Sequence, residues 1–306
     1  MRISTSMLFG TGTKGLQSLQ SDLYKLQNQM STGRRVLTPS DDPISAWEAL
    51  QVSQSKSVNK QYLENQGDAK AKLAYMEGNM SSVSDALIRV RELSASAVNT
   101  TAEQRALLVP ELKGILDNVL TLANGKDGTG NYIYSGNKSA TTPFALTSTG
   151  ATYAGDQGQQ ALRVSASNVM TLGHNGFEVF MQVRDGQGSP AGGSIFDAIQ
   201  GVINILDPGS GVPFSEATLA QFNDQIDNSI GHMANMIASV GTRLNTLDAL
   251  SDASSDSALL YEMRLSDLQD LDYTAAISDF SRIQTQLEAA QITFKQTSQL
   301  SLFNIL

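Results

Sequence analysis

From Ile226 to Leu268, apolar or small residues recur at alternating steps of four and three: Ile226, Ile230, Met233, Ile237, Val240, Leu244, Leu247, Ser251, Ser254, Ala258, Tyr261, Leu265 and Leu268. A period of about 3.5 sustained over that span fits a long helix packed along its length against other long helices. A second register follows, through Tyr273, Ala276, Phe280, Ile283, Leu287, Ala290 and Phe294. The sequence closes on Leu300, Leu302, Phe303, Ile305 and Leu306, with no charged side chain after Lys295. Such an end needs a partner to cover it, in this chain or in another copy.

The same rhythm marks the other end, in Leu16, Leu19, Leu23, Leu26 and Met30. Before Asp41 the bases Arg2, Lys14, Lys25, Arg34 and Arg35 stand against the single acid Asp22, so this arm is basic and amphipathic. Its bases are too few and too spread out for a membrane-surface helix, and a protein partner is expected. Asp42 is placed to cap a helix with Pro43 at its first position. From Pro43 to Val98 no other proline occurs, and Ala69, Leu73, Met76, Met80, Val83, Leu87, Val90 and Ser94 keep the rhythm. A helix of that extent would be roughly 80 Å long, a length that suits a rod. Thr100 with Glu103, or Thr101 with Gln104, can form a capping box that restarts a shorter helix. Leu108, Leu112, Ile115, Val119 and Leu122 share one face of it, and Pro110 is expected to kink it or move its start. Asn124-Gly125 ends it.

Twelve of the 25 glycines lie between Ser139 and Phe214, which breaks the helical pattern. Tyr132-Ile133-Tyr134, Leu162-Arg163-Val164 and the run Phe177 to Val183 alternate like strands, separated by turns such as His174-Asn175-Gly176. Ile195, Phe196, Ile199, Val202, Ile203 and Leu206 predict a short helix, broken at Asp207-Pro208-Gly209. The fold class expected is mainly α: a long antiparallel coiled-coil rod built from both chain ends, with an inserted β-rich domain.

Composition narrows the function. There is no cysteine, which excludes disulfides and thiolate metal sites. The net charge of −9 argues against nucleic acid as a partner. No stretch approaches about 18 consecutive apolar residues, so no membrane span is expected. Met1-Arg2-Ile3-Ser4 leads into a polar, glycine-containing segment, so an exported chain of this kind needs a route without a cleaved signal peptide.

Catalytic constellations are missing. The only histidines are His174 and His232. Glu178 is four residues past His174, but across a turn and into an expected strand, so no metal or cofactor site is expected. Gly125-Lys126-Asp127-Gly128-Thr129-Gly130 lacks the Gly-Lys-Ser/Thr ending of a phosphate loop and reads as a turn. No Gly-x-Ser-x-Gly elbow offers a nucleophile. Eight acids and one base, Arg264, lie between Asp248 and Asp279 on helical spacing. They read as a solvated or partner-facing face rather than glycosidase or calcium chemistry.

Several stretches together resemble the flagellin superfamily of bacterial axial proteins. Ser31-Thr32-Gly33-Arg34-Arg35 with Asp41-Asp42-Pro43 is similar to its Ser-Gly-x-Arg and Asp-Asp-Pro signature. Asn131-Tyr132-Ile133-Tyr134-Ser135-Gly136 with Thr142-Pro143-Phe144 resembles its post-helix hairpin. Val240-Gly241-Thr242-Arg243-Leu244-Asn245, Asp272-Tyr273-Thr274-Ala275-Ala276 and Leu300-Ser301-Leu302-Phe303 resemble its C-terminal helices and tail. Met1-Arg2-Ile3-Ser4-Thr5 is more like a junction subunit of that superfamily than a filament flagellin. Both helical ends match; the stretch 145–210 resembles nothing further.

The resemblance implies a non-enzymatic junction adaptor between the flagellar hook, through the first hook-associated protein, and the flagellin filament. A filament flagellin is the alternative, and a secreted membrane-active coiled-coil effector or an enzyme carried on the rod is remoter. It implies a ring of identical subunits, type III export and a cytoplasmic chaperone near the C-terminus. Its layers would be inner arms at 1–42 and 276–306, helical halves at 43–138 and 215–275, and an outward insert at 139–214. Leu16, Leu19, Leu23, Leu26, Met30, Phe280, Ile283, Leu287, Phe294, Leu300, Leu302, Phe303 and Leu306 are the expected assembly contacts. The arms are expected to be mobile in the monomer and to order on assembly. Leu87, Arg89, Arg91, Glu92 and Leu93 resemble the flagellin segment recognised by an innate immune receptor.

Overall fold

Helix starts fall where side chains can cap them. In the computed structural model, which describes residues 5–147, 150–185, 188–190 and 192–303, α1 spans Thr5–Thr32 and α2 spans Pro43–Ala97. Ser45 N donates to Asp42 Oδ1 at 3.1 Å, so Asp42 caps α2 with Pro43 first in the helix. Helix α3, Ala102–Ala123, starts on a reciprocal box: Gln104 N donates to Thr101 Oγ1 at 3.4 Å, and Thr101 N donates to Gln104 Oε1 at 3.0 Å. Pro110 sits exposed within α3, and the helix runs unbroken through it with its start unmoved.

The buried stripe of α3 is Val109, Leu112, Leu116, Val119 and Ala123, with Leu108, Ile115 and Leu122 half-buried at its edge. The face is therefore rotated from the expected one. The cause is α4, Ile195–Leu206, which packs on α3 and widens the covered surface. Two long helices, α5 at Glu216–Gln269 and α6 at Tyr273–Phe303, complete the helical set.

Strand content is smaller than the sequence suggests. Strands β1 (Phe144–Thr147) and β2 (Gly150–Tyr153) pair antiparallel with Phe144 opposite Tyr153. Strands β3 (Ala161–Arg163) and β4 (Val169–Thr171) pair antiparallel with Leu162 opposite Met170. The run expected as a strand from Phe177 folds instead as a π turn, Phe177–Met181. Its buried residues are Val179, Phe180 and Val183, a helical spacing rather than alternation. Tyr132-Ile133-Tyr134 is likewise a turn, with one bridge from Tyr132 to Lys126.

The chain divides into two units. A terminal unit comprises Met1–Asn59 and Asp256–Leu306, and a central unit comprises Lys60–Ser255. The central unit holds nearly all of the buried core. Every α2 seam residue from Ala69 to Ser94 is buried, as are Ile226, Met233, Val240 and Leu247 on α5. Its turns are anchored by aromatic contacts: Tyr134 meets Phe180 edge-on at 5.0 Å, and Phe144 lies 5.2 Å from Phe180 and 5.4 Å from Phe196.

Candidate assembly interface

In the terminal unit the two chain ends pair with each other. Helix α1 packs on α6 through the two registers read from the sequence. Leu16, Leu19, Leu23, Leu26 and Met30 on α1, and Phe280, Ile283, Leu287 and Phe294 on α6, are each half-buried. Phe9 meets Phe294 edge-on at 5.8 Å. Gly12 leaves room for that ring, since a Cβ there would lie 2.8 Å from Phe294 Cδ2. Leu300, Leu302 and Phe303 fall in the last turns of α6, where only the backbone is described, and Leu306 lies outside the described residues.

The signature residues build a clasp where both arms meet the rest of the unit. Gly33 ends α1 at φ +70°, a left-handed conformation that glycine adopts without a Cβ clash. The chain then pairs with the α5–α6 connection: Arg35 N donates to Gln269 O at 2.7 Å, and Leu271 N donates to Gly33 O at 2.9 Å. The Arg35 guanidinium reaches Asp42 at 3.1 Å, Ser45 Oγ at 3.2 Å and Leu268 O at 3.0 Å. Tyr273 hydroxyl donates to Met30 O at 3.0 Å. Hydrogen bonds from Ser45, helped by Arg35, hold the Asp42 carboxyl down to about 2. Asp41 is held equally low, to about 2, first by Lys25 and then by the Thr38 amide. Glu48–Arg264 at 2.8 Å and Lys56–Glu262 at 2.9 Å tie α2 to α5 nearby, so part of the acidic face is spent on holding helices together.

The terminal unit leaves much apolar surface uncovered. Among the described residues its buried apolar side chains are Ala49, Leu268 and Ala276. Yet twelve of the eighteen exposed large apolar side chains belong to it, in a little over a third of the chain. The sequence reading missed the densest set. Ile44, Trp47 and Leu50 on α2 are exposed by 73%, 60% and 68%, and Leu259, Leu260 and Met263 on α5 by 59%, 63% and 57%. Their spacing reads as ordinary core, and only the fold reveals that this chain does not cover them.

Other sequence candidates fall elsewhere. Leu87 and Leu93 are buried in the central unit. Arg89 pairs with Glu111 at 2.7 Å and Glu92 at 3.2 Å, and Arg91 with Asp227 at 2.7 Å. His174 and Glu178, expected apart, are brought together by the π turn at 3.0 Å. The stretch from Gly125 to Gly130 is a turn closed by Asp127, whose carboxylate accepts from Thr129 N at 2.9 Å and Asn131 N at 3.0 Å. A cavity of about 250 Å³ lies in the central unit. Its polar wall is engaged with itself: Lys72 with Gln160 at 3.2 Å, Asp127 with its own turn, and Asn175 with Gln157 O at 3.2 Å. Among the described residues no three His, Asp or Glu side chains are placed to hold a metal, and no helix is long and apolar enough to cross a membrane.

Two paired chain ends with a half-covered seam, a clasp at their base and open apolar faces beside it fit a long helical protein of the flagellin type. The family model of the bacterial flagellin N-terminal helical region accordingly matches residues 3–139. Flagellar hook-associated protein 3 of Escherichia coli K12 is 34% identical over 317 aligned positions, covering 100% of this chain and 99% of that protein. The chain belongs to the flagellar hook-associated protein 3 family, a family of structural flagellar components. The fold agrees with two crystal structures from Legionella pneumophila. Flagellar hook-associated protein 3 has a TM-score of 0.64 at 22% identity, covering 71% of this chain and 98% of that one. The flagellar junction protein FlgL has a TM-score of 0.61 at 20% identity, covering 73% and 100%.

Proposed function

We propose that this chain is the structural junction subunit of the bacterial flagellum, joining the hook, through the first hook-associated protein, to the flagellin filament. The observation that carries the reading is the concentration of open apolar surface in the terminal unit, which a lone subunit leaves wet. Neighbours in a ring supply the missing cover. The α1–α6 pair opens and closes in the monomer and becomes fully ordered on assembly, because one helix pair with a half-buried seam is marginal by itself. The arms 1–42 and 276–306 form the inner layer, the helical segments 43–138 and 215–275 the next, and the segment 139–214 faces outward. Export proceeds by the type III route without a cleaved signal peptide, with a chaperone covering the C-terminal arm in the cytoplasm.

The test is electron microscopy of cells lacking the gene. Hooks without filaments, with flagellin shed into the medium, are expected; normal filaments refute the reading. The match to a flagellin model favours filament flagellin as the second reading. Purified protein that grows long filaments from seeds would establish that reading instead.

A further inference from the structure

The chain has two histidines, and both are buried on one residue of the π turn. His232, on α5, donates from Nε2 to the backbone carbonyl of Glu178 at 3.0 Å. His174 Nδ1 lies 3.0 Å from the Glu178 carboxylate, which accepts, and its Nε2 lies 3.3 Å from Ser239 Oγ. His232 and Ser239 stand seven residues apart, two turns along one face of α5. The π turn is thus fastened to the long helix at two points, and each fastening runs through an imidazole.

The charged groups that face His232 are few. Glu178 comes from the π turn, and Arg184 from the loop after it. Arg243, one turn beyond Ser239 on α5, acts on Glu178 and reaches the carbonyls of Thr171 and Gly173 at 3.5 Å. We propose that this seam is an acid-sensitive latch: protonation of the buried His232 in mildly acidic medium loosens the hold of α5 on the π-turn segment 177–183. Burial, with Arg184 adding to it, outweighs Glu178 and holds His232 below its ordinary value of 6.5. Glu178 keeps its charge over the same range, because its carboxyl is held below its ordinary value, first by His174. Below pH 6.5 the opened segment takes up a proton that the latched one refuses. The latched-to-open ratio then falls by up to ~tenfold per pH unit, until the latched His232 is itself protonated. Above 6.5 the latch is at full strength.

The test uses the full chain. Two imidazole signals are expected by NMR, assigned with His174→Gln, and the His232 signal should titrate below 6.5. Amide exchange, corrected for intrinsic rate, should show protection of 177–183 falling between pH 6.5 and 5.5, by at most about fivefold, while the α2 core stays protected. His232→Gln retains an N–H donor for the carbonyl and should flatten that dependence. A His232 midpoint at or above 6.5, protection that does not fall with pH, or a fall that persists in His232→Gln overturns the proposal. If His232→Gln does not fold, the titration and exchange of the unaltered chain decide.

Discussion

Replacing Phe294 with alanine should loosen both chain ends at once. Phe294 is half-buried between Phe9, edge-on at 5.8 Å, and the gap above Gly12. Full burial of a phenylalanine contributes about 1.5–3 kcal/mol, so a half-buried ring contributes about 1 kcal/mol. The edge-to-face pair adds about 0.5–1.5 kcal/mol. Truncation therefore costs about 2 kcal/mol of α1–α6 pairing, or roughly thirtyfold in the paired-to-open ratio. Amide exchange on the isolated full chain reads this directly. Rates along α1 and α6 should rise roughly thirtyfold, while the denaturation midpoint of Lys60–Ser255, which contains none of these contacts, stays put. A rise below about threefold in α1, or an equal loss in the central unit, refutes the pairing as the source of order in the arms.

Trp47→Ala should leave monomer stability within about 0.5 kcal/mol, because the side chain is exposed, yet weaken incorporation into hooks. The unaltered Trp47, the chain's one tryptophan, should shift its emission to the blue as assembly covers it, and an unchanged spectrum would exclude it from the interface. Arg35→Ala removes contacts to Asp42, Ser45 and Leu268 together, and proteolysis should then cut both connections, near 33–42 and 269–272, at similar rates. Asp41 and Asp42, lowered from 3.8 to about 2, contribute stability that is complete above 3.8 and lost as pH falls toward 2. The amide shifts of Thr38 and Ser45 should report midpoints near 2, and midpoints at 3.8 would count against the clasp. Tyr134→Phe should cost about 1 kcal/mol in urea denaturation with an unchanged slope, since the buried hydroxyl donates to Asn79 Oδ1 at 3.3 Å.

Periodicity made the helical frame legible. The α2 seam is buried at every position read from Ala69 to Ser94, and the α5 seam alternates buried and half-buried from Ile226 to Ala258 and stays half-buried through Tyr261 and Leu265. Capping chemistry placed one start at Asp42-Pro43 and the other at Thr100 or Thr101, of which the fold uses Thr101. The middle was harder because Phe177 to Val183 satisfies two patterns at once. Its odd positions, Phe177, Val179, Met181 and Val183, are all apolar like one face of a strand, but it also carries Val179, Phe180 and Val183 on helical spacing, and the fold buries the latter set. Misreading that turn also separated His174 from Glu178. The open faces at Ile44, Trp47 and Leu50 could not be read at all. An apolar stripe that the chain leaves open has the same spacing as one that its own core covers.

The clasp at Gly33, Arg35 and Gln269 gives the two chain ends a common root. Stitched together there, they leave from one point rather than as two independent tails. In the ring proposed above, an arriving subunit would then have one root to place where it would otherwise have two. The entropy of fixing that root is lost during folding, before any neighbour is met.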